Sequence, residues 1–192
     1  MSIWTDLTGI DFSVRQVDAN GISTRVLIAG EGEDVIFMHG TSGDLEAFSR
    51  NIVAHAQAGF RCHAIDALGH GYTDKPDFNY EIPLYAKHVI DYMDAQGIEK
   101  ANLAGESLGG WTSGWIAINR PERVQSLQLI AAGGTKANPE IMARIKKSTT
   151  KAVLGDDIGL TRKRLELLMY NHEKDISRSE EHTSELQSHL NL

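Results

Sequence analysis

Cysteine, long apolar runs and basic residues are all scarce in this chain of 192 residues. Cys62 is the only cysteine, so no disulfide can form within the chain, and its place in the apolar segment 60–65 predicts a buried, unreactive thiol. No run of about 18 apolar residues occurs, which argues against a membrane-spanning helix. The N-terminus has no basic stretch followed by an apolar one. We therefore expect a soluble cytoplasmic protein.

An excess of acidic residues narrows the choice of partner. The formal net charge is −7, from 26 acidic and 19 basic residues. Nucleic acids and anionic membranes attract clustered basic residues, so neither is an expected partner. No cluster of histidine, cysteine or carboxylate residues has metal-ligand spacing, and no glycine-rich phosphate loop is present. The chain is expected to act on a small molecule without a metal or cofactor, and its oligomeric state stays open.

Strand and helix patterns alternate along most of the chain. Segments 12–19 and 22–29 flank Asn20-Gly21, a dipeptide that suits a tight hairpin turn. Helical periodicity separates the short strand-like runs that follow the hairpin. Those runs are residues 35–38, 60–65, 100–104 and 123–131. A chain with 41% hydrophobic residues can form one core of ordinary size, so we expect a single domain. The alternation of segments predicts an α/β fold whose sheet is mostly parallel and begins with an antiparallel hairpin.

The segment Gly105-Glu106-Ser107-Leu108-Gly109 carries the main functional signal, because it follows a predicted strand and precedes a predicted helix. A serine on such a turn is exposed and held at unfavourable backbone angles, and the flanking glycines avoid collisions. We interpret Ser107 as a catalytic nucleophile. The alternative interpretation is a glycine-rich turn with an incidental serine.

The residues around this serine suggest further expectations. Trp111 and Trp115 stand one helical turn apart and Ile118 continues their face, which predicts a helix buried against a sheet. A tryptophan pair of this kind is more typical of a core than of a substrate platform. Glu106 either modulates the electrostatics of the nucleophile or serves as a structural carboxylate.

A serine hydrolase also needs hydrogen-bond donors for the oxygen that becomes negative during the reaction. The backbone N–H of Leu108 is the first expected donor. The second is expected from the loop 39–43, where Thr41 is the first choice and Ser42 the second. The small residues of this loop are Gly40, Thr41, Ser42 and Gly43. The alternative is that residues 39–43 form an ordinary strand-to-helix loop without a catalytic role. The loop that begins at Asp66 is interpreted as a structural loop held by local hydrogen bonds.

Three features in this order resemble the α/β-hydrolase superfamily: the dipeptide His39-Gly40, the loop 66–76 and the turn around Ser107. The resemblance covers roughly residues 12–177. It implies the α/β-hydrolase fold, with a helical cap over the sheet and a catalytic triad in the order serine, acid, histidine. Since His39 precedes the nucleophile, the resemblance implies that it braces a loop and does not act as the base.

Within the superfamily, the chain resembles the meta-cleavage-product hydrolases, which cleave carbon-carbon bonds in ring-fission dienoates from aromatic degradation. The segments that carry this likeness are residues 80–83, 105–111 and 131–134. The chain departs from many of these enzymes at Glu106, where they have asparagine. The resemblance implies a serine-dependent hydrolase of a carbon-carbon bond. A carboxylesterase and a non-catalytic small-molecule-binding module stay open as alternatives.

The resemblance also divides the chain into three parts. Residues 1–134 correspond to the N-terminal part of the hydrolase core and residues 135–177 to part of the helical cap, so the fold is expected to be truncated within the cap. Residues 178–192 lack apolar periodicity, and 178–189 look like the in-frame translation of a sequencing adapter, so we interpret this end as a non-native tail. The triad acid and histidine would follow the cap. The chain as written is therefore expected to have little activity.

Overall fold

The computed structural model describes residues 3–41, 43–135, 138–140 and 143. One compact unit extends from Ile3 to Thr135, and the fold below is that of this unit. The predicted cap, residues 135–177, and the predicted tail, residues 178–192, lie almost wholly outside the described residues.

Six strands form one sheet. They are β1 (Phe12–Ala19), β2 (Ile22–Ala29), β3 (Glu33–Met38), β4 (Phe60–Ile65), β5 (Ala101–Glu106) and β6 (Val124–Ile130). Their spatial order is β1-β2-β4-β3-β5-β6. β2 runs antiparallel to both β1 and β4, whereas β4, β3, β5 and β6 run parallel to one another. The mostly parallel sheet with an antiparallel N-terminal hairpin is confirmed.

The hairpin turn has the backbone that its two residues favour. Asn20 has φ 56° and Gly21 has φ 86°, and the strands pair directly on either side of them, from Ala19 with Ile22 outward. Both central residues of a type I′ turn need positive φ, which asparagine and glycine adopt more readily than other residues. The turn thereby sets the register of β1 on β2.

Helices cover both faces of the sheet. The α-helices are α1 (Ser49–Gln57), α2 (Ile82–Ala95) and α3 (Leu108–Asn119), and short 3-10 helices span Ile3–Leu7, Leu45–Phe48 and Pro121–Arg123. α1 packs in one apolar cluster, and α2 and α3 pack in the other. Ile36 and Phe37, neighbours on β3, are both buried but belong to opposite clusters, because side chains alternate across a strand. No helix in the described part of the chain is long and apolar enough to cross a membrane.

The buried face of α3 differs from the predicted one. Trp111 is 40% exposed and Ile118 is 80% exposed, while Trp115 is partly buried against the core. The buried residues of the helix are Gly109, Gly110, Thr112, Ser113 and Ile116. Because most of these residues are small, the helix can approach the sheet closely, and the tryptophan at position 111 packs instead against the backbone that follows β6.

A buried polar chain ties α2 to the sheet. Tyr92 is fully buried, and its hydroxyl lies 2.8 Å from His63 Nδ1. His63 Nε2 lies 2.8 Å from an Asp34 carboxylate oxygen. A carboxylate only accepts, so Nε2 carries the proton and Nδ1 accepts from the tyrosine. Burial lowers the pKa of His63 although Asp34 acts in the opposite direction, which favours this neutral form.

Tyr92→Phe is expected to lower the free energy of unfolding by about 1–3 kcal/mol, because it leaves the buried His63 Nδ1 without a donor. Urea unfolding followed by circular dichroism measures the change. Tyr72→Phe is the matched control, since Tyr72 is 59% exposed. Equal stability of the two variants would contradict the assigned hydrogen bond.

Candidate active site

Ser107 occupies a strained turn between β5 and α3. Its backbone angles are φ 49° and ψ −106°, a region that costs a non-glycine residue about 1–3 kcal/mol. Neighbouring segments hold the strained residue in place. The Ser107 N–H donates to the Ile130 carbonyl at 3.0 Å. The Ser107 carbonyl accepts from Trp111 N–H at 3.0 Å and from Gly133 N–H at 2.9 Å.

The glycines around Ser107 are required by close backbone approach. A Cβ on Gly105 would collide with the Gly109 carbonyl group, and a Cβ on Gly109 would collide with the Met38 carbonyl group. A Cβ on Gly110 would lie 2.6 Å from the Ala132 Cβ. The start of α3 therefore lies directly on the ends of β3 and β5. The predicted strand-turn-helix context of the pentapeptide is confirmed.

Leu108, an expected backbone donor, is the first residue of α3. The first N–H groups of an α-helix have no carbonyl partner within the helix, and they carry its partial positive charge. The Leu108 N–H therefore has no acceptor within α3 and lies at the partly positive end of the helix, next to Ser107.

The loop after β3 meets this turn. A Cβ on Gly40 would lie 3.1 Å from the Ser107 Cβ and would collide with the Glu106 carboxylate. Gly43 N–H donates to the Gly40 carbonyl at 3.0 Å, which places Thr41 in a tight turn. Ser42 lies outside the described residues. The structure thus brings together Gly40, Glu106 and Ser107, and Thr41 directly follows the point of contact.

His39 braces this loop. Its Nε2 lies 2.9 Å from the Ala67 N–H, which can only donate, so Nε2 is unprotonated and Nδ1 carries the proton. His39 Nδ1 then donates to the Gly40 carbonyl at 2.7 Å. Burial lowers the pKa of His39 to about 4. Both ring nitrogens are engaged and the ring is neutral, in agreement with the loop-bracing role expected from its position.

Charged residues from three separate segments meet beside the loop. Asp66 is fully buried and accepts from Leu45 N–H and Tyr72 N–H, both at 2.8 Å. The Arg25 guanidinium lies 3.4 Å from Asp66 and 2.6 Å from Glu46. Asp66 therefore holds local loop architecture, as interpreted from the sequence. We call this set, together with Asp44, the carboxylate cluster.

Asp44 is the exceptional member of the carboxylate cluster. One carboxylate oxygen accepts from the Glu46 N–H at 3.1 Å and caps the 3-10 helix Leu45–Phe48. The other is buried and accepts no hydrogen bond from the described residues. Burial, and then the neighbouring Glu46 and Asp66, raise the pKa of Asp44 to about 9. Asp44 is thus a neutral acid at pH 7.

Sequence reasoning missed the carboxylate cluster as a unit. Arg25 lies on β2, Glu46 in a 3-10 helix and Asp66 after β4, so only their tertiary pairing reveals them. Within the described residues, no group of three or more histidine, cysteine or carboxylate side chains is placed to hold a metal ion. Cys62 is buried, as expected, and burial raises the pKa of its thiol to about 11.

Comparison with known proteins gives the same fold. The family model described as the alpha/beta hydrolase fold matches residues 35–168. Over 123 residues the chain is 34% identical to a 2-hydroxy-6-oxo-6-(2'-aminophenyl)hexa-2,4-dienoic acid hydrolase of Metapseudomonas resinovorans, covering 62% of this chain and 42% of the relative. A 2-hydroxymuconate semialdehyde hydrolase of Pseudomonas sp. strain CF600 is 33% identical, with 62% and 44% covered. The chain spans less than half the length of these curated relatives.

The fold of this chain is also similar to those of solved structures. The meta-cleavage product hydrolase CumD of Pseudomonas fluorescens IP01 superposes with a TM-score of 0.74 at 27% identity, covering 93% of this chain and 63% of that one. The naproxen esterase (carboxylesterase NP) of Bacillus subtilis superposes with a TM-score of 0.81 at 17% identity, covering 98% and 67%. At that identity the second likeness shows the fold alone.

Proposed function

The chain belongs to the α/β-hydrolase family, and on that premise we propose that Ser107 is the nucleophile of a hydrolase. The observation that carries the proposal is the strained backbone of Ser107, φ 49°, at the point where the Gly40 loop meets the start of α3. Strain of this kind persists only where the surrounding structure imposes it, and it clusters at functional sites.

In the proposed reaction, the Ser107 hydroxyl attacks a carbonyl carbon of the substrate. The carbonyl oxygen becomes negative, and the N–H groups of Leu108 and Thr41 donate to it. A base must take the serine proton, and histidine is the usual choice. No hydrogen bond joins the Ser107 hydroxyl to any histidine that the structure describes. We therefore propose that full turnover needs a histidine and an acid from outside the described residues, and that the chain as written turns over slowly.

The proposed substrate class is a 2-hydroxy-6-oxo-hexa-2,4-dienoate. Support comes from the relatives that are 33–34% identical, one of which is named a hydrolase of such a dienoic acid. The 6-oxo carbon is the electrophile that Ser107 would attack. The carbon-carbon bond beside it would then break, the proton of the serine would end on the carbon leaving group, and water would release the acyl group.

The first test is acylation by p-nitrophenyl acetate. Acylation also needs a base, but p-nitrophenolate is so good a leaving group that solvent can take the serine proton, whereas the acetyl-serine ester that forms is far less reactive toward water. We therefore expect acetyl to accumulate slowly on Ser107 with little steady turnover. Mass spectrometry of the peptide that contains Ser107 measures the adduct. Ser107→Ala is expected to lose it, while Ser126→Ala, which removes an exposed serine on β6, is expected to keep it.

The second test offers 2-hydroxy-6-oxo-6-phenylhexa-2,4-dienoate and follows product formation. Ser107-dependent cleavage would support the carbon-carbon hydrolase, whereas acylation by the ester alone would favour a carboxylesterase. Tight binding of a small molecule that Ser107→Ala leaves unchanged, without any adduct, would instead favour a non-catalytic binding module. Steady ester hydrolysis that survives Ser107→Ala would overturn the proposed nucleophile.

A further inference from the structure

His70 lies between two backbone carbonyls in the interior of the protein. It is 2% exposed and belongs to the loop that follows β4. Its Nδ1 lies 3.0 Å from the Leu68 carbonyl oxygen, and its Nε2 lies 3.2 Å from the Thr41 carbonyl oxygen. One of these carbonyls is in its own loop. The other belongs to the residue that follows the contact between Gly40 and Ser107.

Two carbonyls cannot both be satisfied by a neutral imidazole. A carbonyl oxygen only accepts, and neutral histidine carries a single N–H. Burial is the larger cause that lowers the pKa of His70, to about 4, and the adjacent His39 is the second. The rings of the two histidines lie 5.2 Å apart. At neutral pH the ring therefore holds one proton and must donate to one carbonyl at the expense of the other.

The two histidines act on successive peptide groups of the loop. His39 donates to the Gly40 carbonyl, and His70 faces the Thr41 carbonyl. A trans peptide group is planar, so the carbonyl of one residue and the N–H of the next point in opposite directions. Holding the Gly40 carbonyl fixes the direction of the Thr41 N–H. Holding the Thr41 carbonyl fixes the peptide plane on the other side of Thr41. With both planes fixed, Thr41 cannot rotate.

We propose that His70 is a positioning residue: its Nε2–H donates to the Thr41 carbonyl and, together with His39, keeps the Thr41 N–H in one orientation beside Ser107. This inference rests on the proposed function, because the Thr41 N–H matters for the rate only if an oxyanion forms there. The Leu68 carbonyl then receives no hydrogen bond from His70, because Nδ1 carries no proton.

The first test reads the proton directly and needs no turnover. In protein with ¹⁵N-labelled histidine, long-range NMR correlations at pH 7 identify which ring nitrogen of His70 is protonated. The expected result is a proton on Nε2. A proton on Nδ1 would place the hydrogen bond at Leu68 and overturn the proposal.

The second test measures acylation of Ser107 by p-nitrophenyl acetate. His70→Leu removes the donor and is expected to lower the acylation rate constant about 10-fold, with the half-saturating ester concentration little changed, since a displaced donor loses part of its effect. His70→Gln keeps an N–H donor and is expected to restore most of the rate. His63→Leu is the matched control, because His63 is 1% exposed and bonds to Asp34 and Tyr92 instead.

An equal loss of rate in His63→Leu and His70→Leu, or no rescue by His70→Gln, would reduce His70 to a structural residue and overturn the proposal. If the wild-type chain shows no acylation that depends on Ser107, the proposed function fails. The NMR result would still decide whether His70 holds the Thr41 carbonyl.

Discussion

Gly109→Ala is expected to lower the free energy of unfolding by about 3 kcal/mol or more and to abolish acylation of Ser107. The added methyl would collide with the Met38 carbonyl group and would lie 2.7 Å from the Met38 Cβ. Met38 cannot move aside, because β3 is paired on both edges, with β4 and with β5. Gly109 is also fixed by its own N–H, which donates to the His39 carbonyl at 3.1 Å. The collision must therefore displace the start of α3.

Gly114→Ala, in the same helix, is the matched control. Among the described residues, no atom outside the adjacent residues and backbone of α3 lies within 4 Å of a Cβ built on Gly114, and alanine is favoured over glycine in a helix interior by about 1 kcal/mol. The same chemical change is thus expected to destabilise the protein at position 109 and to stabilise it at position 114. Urea unfolding of both variants measures the two signs. A loss of stability at both positions would show that α3 tolerates no added methyl group anywhere, against the packing described.

The fold could be predicted from sequence to the extent that its signals are local. The hairpin bounds and the strand Phe60–Ile65 match the structure because Asn20-Gly21 and the short apolar run determine them within a few residues. The buried face of α3 was predicted wrongly. Apolar side chains suggested Trp111 and Ile118, but glycine at positions 109 and 110 lets the other face approach the sheet. That choice depends on backbone contacts across the fold, which periodicity does not report.

The candidate site divides in the same way. Glycine spacing, together with the strand predicted before it and the helix predicted after it, predicted the turn at Ser107. The order of the strands in space brings Gly40 to this turn, since β3 and β5 are parallel neighbours. His70 and Asp44 were not predicted as parts of one region. His70 matters through the Thr41 carbonyl, 29 residues away in sequence, and Asp44 through the charges around it. Pairings of this kind appear only after the chain has folded.

Asp44→Asn is expected to make the protein more stable at pH 7, by about 4 kcal/mol at most. Burial raises the pKa of Asp44 from 3.8 to about 9 in the folded protein. Between those values the folded state holds a proton that the unfolded state has released. Asp44 therefore stabilises the fold fully only below about pH 4, and that contribution is lost as the pH rises toward about 9, by about 1.4 kcal/mol per pH unit. Asparagine has a similar shape and carries no such penalty.

Most other titrating groups change the stability in a different pH range from Asp44. Burial lowers the pKa values of His39, His70 and His88 to about 4, so stability linked to these residues is lost as the pH falls below about 6.5. The pKa of Glu46 is lowered, partly by hydrogen bonds from Asp44 and Arg25 that oppose its burial, so its contribution is also lost at acidic pH. The pKa of Asp66 is raised by burial, like that of Asp44, but Asp66 remains in both proteins.

The difference between wild type and Asp44→Asn from pH 7 to pH 9 therefore isolates Asp44. Urea unfolding at unit pH steps should show wild type losing stability through this range, while the variant loses less at every step. Asp77→Asn makes the same chemical change at an exposed position and is expected to leave the wild-type slope unchanged. If Asp44→Asn instead destabilised the protein and kept that slope, Asp44 would be ionised in the fold. The Asp44 carboxylate oxygen that accepts no hydrogen bond from the described residues would then need a donor.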